Sequence, residues 1–259
     1  MDMNKINDKI EILSPPVKVD MADDWYQFVD LSNFWIKSRF RAIESKVTKE
    51  MIGSKFLEIG CGNGVVMRQF EEKFEIKVDG CDLNMFALDQ IGKTRGRKLC
   101  LDIFDEPEEL LAKYDGILLL DVIEHISNDH VFLEKSLKYL KNEGLVVINV
   151  PALNSLYSKY DIAVGHKRRY NKQSIRKLFN RCNIEEISIS FWGLSLIPVA
   201  TIREVMLNFV KEENIVLKGF KPPNQTLNSI LNGILALENK LIKSPSLGTS
   251  LIAIGRKKV

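Results

Sequence analysis

The chain has 259 residues, 45% of them hydrophobic and 27% charged, with a formal net charge of +3. That composition excludes a disordered chain and leaves room for one large globular domain with an insertion. So small a charge excess gives no general case for nucleic acid, and any basic preference has to be local.

The opening "MDMNKINDKI" has no apolar core of signal-peptide length, and no uninterrupted run of about 18 apolar residues occurs. The expectation is a cytoplasmic protein, with contact at the membrane periphery left open. Cys61, Cys81, Cys100 and Cys182 form no CxxC pair, and three of them fall on or beside apolar strand-like runs. A thiol there behaves as a small hydrophobe, so neither disulfides nor a metal site is expected.

Residues 24–50 place Trp25, Phe28, Phe34, Trp35, Ile36, Phe40, Ile43 and Val47 at helical spacing, which predicts two helices over an N-terminal cap of 1–50. From 55 onward, short apolar runs at 55–59, 76–81, 97–101, 115–120 and 144–150 alternate with helical patterns near 64–73, 84–91, 107–113 and 129–140. Such alternation, with strands apolar on both faces, predicts an α/β fold: a doubly wound, mostly parallel sheet covered on both sides. Residues 171–182 then read as a helix facing inward through Ile175, Leu178, Phe179 and Cys182, and 184–192 alternate as a strand. An insertion over 193–248 follows. It carries an apolar helix at 194–210 and a second helix at 225–243 with a stripe of Leu227, Ile230, Leu231, Ile234, Leu237 and Leu241. A last strand at 249–257 returns the chain to a core of 51–192 and 249–259. Repeats and low-complexity tracts are absent from the sequence.

The chemistry begins at "FLEIGCGNGVV", residues 56–66, where Gly60, Gly62 and Gly64 alternate between a strand and a helix. A turn that bare lets the backbone approach a ligand where any Cβ would collide. Dinucleotide enzymes space these glycines as GxGxxG, whereas here the spacing is GxGxG and Val65 and Val66 follow. Asp82 ends the second strand in "KVDGCDLN", placed to accept from a ribose diol. Asp102 ends the third in "LCLDIFD", where its carboxylate and the amide of Ile103 are placed to read an adenine edge.

Taken in order and spacing, "LEIGCGNG", "GCDLN", "LDIFD", "YDGILLLDVIEHI" and "GLVVINVP" resemble the motifs of class I S-adenosylmethionine-dependent methyltransferases. The resemblance covers roughly residues 50–192 and the last strand. It implies a seven-stranded Rossmann-like sheet with S-adenosylmethionine as donor and S-adenosylhomocysteine as product. It also implies that Glu58, Gly60, Cys61, Gly62 and Gly64 surround the methionine moiety, Asp82 and Leu83 the ribose, and Asp102 and Ile103 the adenine. Asp121, opening "DVIEH", would face the methyl donor, and Arg39 of the N-terminal helices would pair with the donor's carboxylate.

The acceptor is less well specified. The Asn/Asp-Pro-Pro-aromatic element of base-directed enzymes is absent after the fourth strand, so a small molecule, sugar or lipid-linked intermediate is the expected partner and nucleic acid is not. Methylating oxygen requires loss of the acceptor proton, for which His125 and His166 are the candidate bases; His130 reads as a helix-surface residue. Residues 162–182 hold seven Lys/Arg and no acid. Within them "GHKRRY" is similar to an element of bacterial methyltransferases from surface-polysaccharide and glycolipid pathways. Arg168 and Arg169 would clamp phosphate or carboxylate and Tyr170 would stack on a ring, unless one arginine braces the loop against Asp161. The insertion suits a homodimer contact, a substrate lid or a membrane face, and its mixed charge favours the first two. The reading is therefore methyl transfer to a hydroxyl, or an amine, of a sugar, glycolipid or related small molecule. An RNA methyltransferase using 166–181 and a non-catalytic S-adenosylmethionine-binding protein are the alternatives.

Overall fold

The computed structural model describes residues 9–17, 31–211, 215–220 and 223–259. Trp25 and Phe28, the start of the first expected helix, lie outside the described residues. The second is α1, Phe34–Glu44, capped by Asn33, whose side chain accepts from the amides of Trp35 and Ile36. A hydroxyl or carboxamide at this position satisfies amides that have no partner within the helix.

The core alternates as the apolar runs require. It consists of β2 (Lys55–Ile59), α2 (Val65–Phe74), β3 (Lys77–Asp82), α3 (Met85–Asp89), β4 (Lys98–Cys100), β5 (Tyr114–Leu120), α4 (Asp129–Tyr139) and β6 (Leu140–Pro151). Then come α5 (Lys159–Ala163), α6 (Lys172–Arg181) and β7 (Ile184–Trp192). The chain leaves the sheet for α7 (Ile197–Leu207), α8 (Ile215–Phe220) and α9 (Gln225–Leu241), and returns as β8 (Ser250–Lys257). The expected helix over 107–113 is only a 3-10 turn at Glu108–Leu110.

Eight strands form one sheet in the order β1-β4-β3-β2-β5-β6-β8-β7, parallel except that β8 runs antiparallel to both β6 and β7. The eighth strand is β1 (Ile10–Ile12), which pairs with β4 at the edge. It was not expected, because three residues with a central glutamate give no apolar run. Glu11 is instead held by the Arg97 guanidinium of the strand beside it, at 2.5 and 2.9 Å.

Successive side chains of a strand point to opposite faces, and the two cores divide accordingly. Leu57, Ile117 and Leu119 pack with Leu133, Ile175 and Phe179 on one side, beneath α4 and α6. Phe56, Leu118 and Val78 pack with Ile43, Met67 and Phe70 on the other, beneath α1 and α2. A sheet apolar on both faces has to be covered on both, which is the doubly wound fold.

The α9 stripe turns out differently. Leu231 is buried, but Leu227, Ile230, Ile234, Leu237 and Leu241 are 46–70% exposed. Leu231 and Leu235 pack with Leu196, Phe34 and Trp35, and polar groups complete the docking of this helix. Asn228 accepts from the Phe34 amide at 2.9 Å, Asn232 from Arg41 at 2.7 Å, and the Glu238 carboxylate holds the amides of Leu194 and Ser195. These contacts set the rotation of the helix, and the rest of the stripe faces out. Among the described residues no helix is long and apolar enough to cross a membrane.

Gly116 shows how tightly the central strands are packed: a Cβ added there would stand 2.1 Å from the Phe56 ring. Gly116→Ala should lower unfolding free energy by about 1–3 kcal/mol, as overpacking does. Denaturant unfolding checks this, and a change below about 0.5 kcal/mol would mean that the Phe56 ring moves aside freely.

Candidate active site

The strand order reverses between β2 and β5, and open α/β sheets bind ligands at the carboxyl ends of the strands beside such a reversal. The glycine turn lies there. Gly60, Gly62 and Gly64 all take left-handed backbone, with φ of 72°, 52° and 69°. At Gly60 any Cβ would also come within 2.7 Å of Val122, so that position excludes side chains twice over. The turn is fastened by the Gly60 and Cys61 amides, both donating to the Cys81 carbonyl at 2.8 and 3.0 Å.

Asp82 stands at the tip of β3. Its Oδ2 accepts from the Gly62 amide and its Oδ1 from the Asn84 amide, each at 2.9 Å. Leu83 follows it and accepts at its carbonyl from the Val17 amide. Asp102, beyond β4, accepts from the Phe104 amide at 3.0 Å and gives its own amide to Ser14. Ile103 is buried and turns its carbonyl to the Tyr139 hydroxyl. Glu58 is nearly fully buried, and its Oε2 has no partner among the described residues. Burial pushes its carboxyl up to about 8, against the pull of Arg39.

Asp121 closes β5 with φ of 61°, a strained setting for a residue with a Cβ. Three neighbours hold it there. Its Oδ2 takes Arg39 at 2.5 Å, its Oδ1 takes Asn149 at 2.8 Å, and Trp192 in turn donates to Asn149 at 2.8 Å. The Arg39 guanidinium lies 4.7 Å over the Trp35 ring, and its Nε has no partner among the described residues. Arg39 therefore ties α1 to the strand ends.

One turn further on, Glu124 is fully buried with neither carboxylate oxygen partnered among the described residues. Desolvation and the nearby Asp121 charge push its carboxyl well above the usual range. His125 follows, with its ring 4.8 Å from that of His166 and edge-on to it. Burial, helped by His166, lowers the His125 imidazole to about 4. His166 Nδ1 lies 2.9 Å from Asp161, and its Nε2 lies 4.0 Å from Glu124. Both candidate bases thus meet at one point, although His166 comes from a loop far along the chain. His130 sits on α4, outside this group.

The rest of "GHKRRY" finds partners within the chain, and one arginine meets Asp161 as the brace reading expects. Arg169 grips buried Asp161 with two nitrogens, at 2.9 and 3.0 Å, and donates a third to the Ala152 carbonyl. Although burial alone would raise Asp161, the bonds from His166 and Arg169 hold it down at about 2. Arg168 is paired with Asp129 at 2.9 Å and donates to the Ser127 carbonyl. Tyr170 is 3% exposed and donates to Asp129, so no ring can stack on it. These three residues brace the loop through partners of this chain. Sequence reasoning passed over Glu124, Asn149 and Trp192, and it weighed Asp161 only as a brace. Glu124 was signalled by being the acid directly before His125; the other two carry no local signal.

A sequence profile for a methyltransferase domain matches residues 35–189. The chain belongs to this methyltransferase family. A ubiquinone biosynthesis O-methyltransferase of Pelagibacter ubique is 28% identical over 181 residues, covering 62% of this chain and 71% of the relative. One of the same name from Bartonella bacilliformis is 30% identical over 118 residues, covering 43% of this chain and 46% of its own length. In fold, the chain is similar to phosphoethanolamine N-methyltransferase 2 of Haemonchus contortus. The TM-score is 0.59 at 18% identity, over 93% of this chain and 58% of that one. The methyltransferase thus spans less than two thirds of two of these relatives.

The donor of the family is S-adenosylmethionine, and the residues present fit it. The backbone is bare at the turn, Asp82 stands at a strand tip, and Glu58 Oε2 and Arg39 Nε lack partners beside it. Asp82→Ala should weaken S-adenosylmethionine binding about tenfold or more, since hydrogen bonds to a charged group are worth roughly 1.5–3 kcal/mol each. Calorimetry reads this directly, and an unchanged affinity would remove Asp82 from the donor site.

Proposed function

We propose that this methyltransferase moves the donor's methyl group to a hydroxyl of a sugar, glycolipid or related small molecule. The observation that carries the reading is the meeting of two unlike groups at one sheet end. The glycine turn with Glu58, Asp82 and Arg39 makes a donor side, and Glu124, His125 and His166 make a polar acceptor side beyond Asp121.

S-adenosylmethionine supplies an electrophilic methyl group carried on a sulfonium. On this reading Glu58 and Arg39 receive its methionine end, with Gly60, Cys61, Gly62 and Gly64 as the floor, while Asp82 and Leu83 receive the ribose and Asp102 and Ile103 the adenine. The protein's contribution is alignment and exclusion of water. An oxygen nucleophile must also lose its proton, and the cluster of two imidazoles and a carboxylate stands where that loss would be promoted. The names of the Pelagibacter and Bartonella relatives support oxygen as the acceptor atom.

A lipid-linked acceptor has a surface to lie on. The loop that carries His166 packs through Tyr160 against Leu207 and Ile215 of α7 and α8. On α7 and just beyond it Ile202, Val205, Met206 and Phe209 remain exposed. RNA binding loses its main support, because Arg168, Arg169 and Arg176 of the basic segment are each paired with an acid of this chain. A non-catalytic role leaves the acceptor-side cluster unexplained.

Purified protein with isotope-labelled S-adenosylmethionine should label lipid-linked sugar or phenol acceptors at oxygen, as mass spectrometry of the product would show. Label found only on nitrogen or RNA, or on nothing, would overturn the reading. His166→Gln should lower turnover by about 100-fold or more, the usual scale for a group serving proton transfer, while donor affinity stays within about twofold.

A further inference from the structure

Glu124, His125 and His166 each place one ligand-type atom within 4.8 Å of the others. We propose that these three side chains form a divalent metal site at the acceptor end of the sheet, which positions and acidifies the hydroxyl to be methylated. The role assigned to the metal rests on the reaction proposed above; the site itself rests on geometry.

Glu124 is the first reason. Its side chain is fully out of water, and neither oxygen has a hydrogen-bond partner among the described residues; Oε1 has only the long 4.0 Å approach of His166 Nε2. A buried carboxylate without compensation is costly, and native structures pair it with a cation or coordinate it to a metal. The arginines nearby are already engaged, Arg39 with Asp121 and Arg169 with Asp161. That leaves His166, whose Nε2 lies 4.0 Å from Oε1, as the one imidazole that close to the Glu124 carboxylate among the described residues.

The second reason is how His166 is held. Its Nδ1 meets the Asp161 carboxylate at 2.9 Å, which leaves Nε2 on the side of Glu124, 4.0 Å from Oε1. A carboxylate behind a histidine is the usual way to fix the tautomer and orientation of a metal-ligating imidazole. Asp161 is itself immobilised by Arg169 and by the Ser158 amide at 3.0 Å. The arginine of "GHKRRY" therefore acts two steps back from the metal.

Metal–ligand bonds of about 2.0–2.2 Å require ligand atoms roughly 3–4 Å apart around one ion. The widest separation in the cluster would contract by about 1–2 Å to reach that. With Asp121 spent on Arg39 and Asn149, the protein supplies three ligands and leaves positions open, as sites that bind a reactant do. Two imidazoles and a carboxylate favour a first-row transition ion or zinc over magnesium or calcium. Coordination to such an ion lowers the pKa of a hydroxyl, whose proton then passes to solvent. The sequence could not signal this, because the third ligand arrives from a distant loop and the first two are adjacent. The competing arrangement is an imidazolium of His166 shared between Asp161 and Glu124, which needs no metal.

The test is titration of chelator-stripped protein with Co2+ alone, followed by visible absorption and calorimetry. One equivalent should bind per chain with ligand-field bands. Binding should be lost in Glu124→Gln and His166→Gln, kept in His130→Gln, and weakened about 10–100-fold in Asp161→Asn. Calorimetric binding of S-adenosylmethionine certifies that each variant is folded, and His125→Asn replaces any that is not. Failure of stripped protein to take up Co2+, or uptake unchanged in Glu124→Gln and His166→Gln, overturns the site. Full methyl transfer by stripped protein that binds no Co2+ overturns the site while the proposed reaction stands. Stoichiometric Co2+ binding without transfer to any acceptor supports the site and removes the reaction.

Discussion

Removing a carboxylate from water costs several kcal/mol unless charge or hydrogen bonds replace the solvent, and this protein does so repeatedly at one end of one sheet. Glu58, Glu124 and Asp161 are buried there, with Asp82 and Asp121 half-buried beside them. Two arginines share the space. Arg169 neutralises Asp161 and Arg39 neutralises Asp121, while Asp82 is satisfied by backbone amides. Glu58 Oε2 and both oxygens of Glu124 are left without a hydrogen bond among the described residues. Those atoms mark two places where a ligand has most to offer the protein, the donor and acceptor sides of the proposed reaction.

The same constraint governs "GHKRRY". A run of cations without acids in sequence suggests an anionic partner, and the partner is indeed anionic. It is supplied from within the chain, by Asp161 before the run and Asp129 on α4. Local sequence cannot show that a charge is already spent, because the acid that spends it is fixed only by folding. Tyr170 is engaged in the same way, through its bond to Asp129.

The sheet was legible for the opposite reason. A central parallel strand has to be apolar on both faces, so β2 and β5 announce themselves without any partner being known. The strand β7 matches its expected span from 184 to 192. Edge strand β1 has one neighbour and three residues, so it leaves no such mark. On α9 the apolar stripe gave the helix but not its inward face, which is set by Leu231 and Leu235 together with the polar bonds of Asn228, Asn232 and Glu238. The glycine turn and the acids at the strand tips were legible because their spacing lies within short stretches. The acceptor cluster was half legible: both histidines stood out by rarity, yet nothing in the sequence placed His166 against Glu124.

The donor and acceptor sides of the proposed reaction are joined by the five residues that follow β5. Asp121 reaches Arg39 of α1 on one side and, through Asn149, Trp192 at the end of β7 on the other. The Val122 side chain packs against Gly60, so closely that no Cβ fits at that position of the turn. Glu124 and His125 then face His166, and the Glu124 carbonyl accepts from the Lys167 amide at 2.7 Å, pinning the brace loop to the same turn. A shift that moved Asp121 would therefore move both halves together. The positive φ of Asp121 is the cost of making so short a segment serve both, and it is tolerated because Arg39 and Asn149 hold the side chain from two directions. Strain and its two restraints sit at the junction, where the distance between donor and acceptor is set.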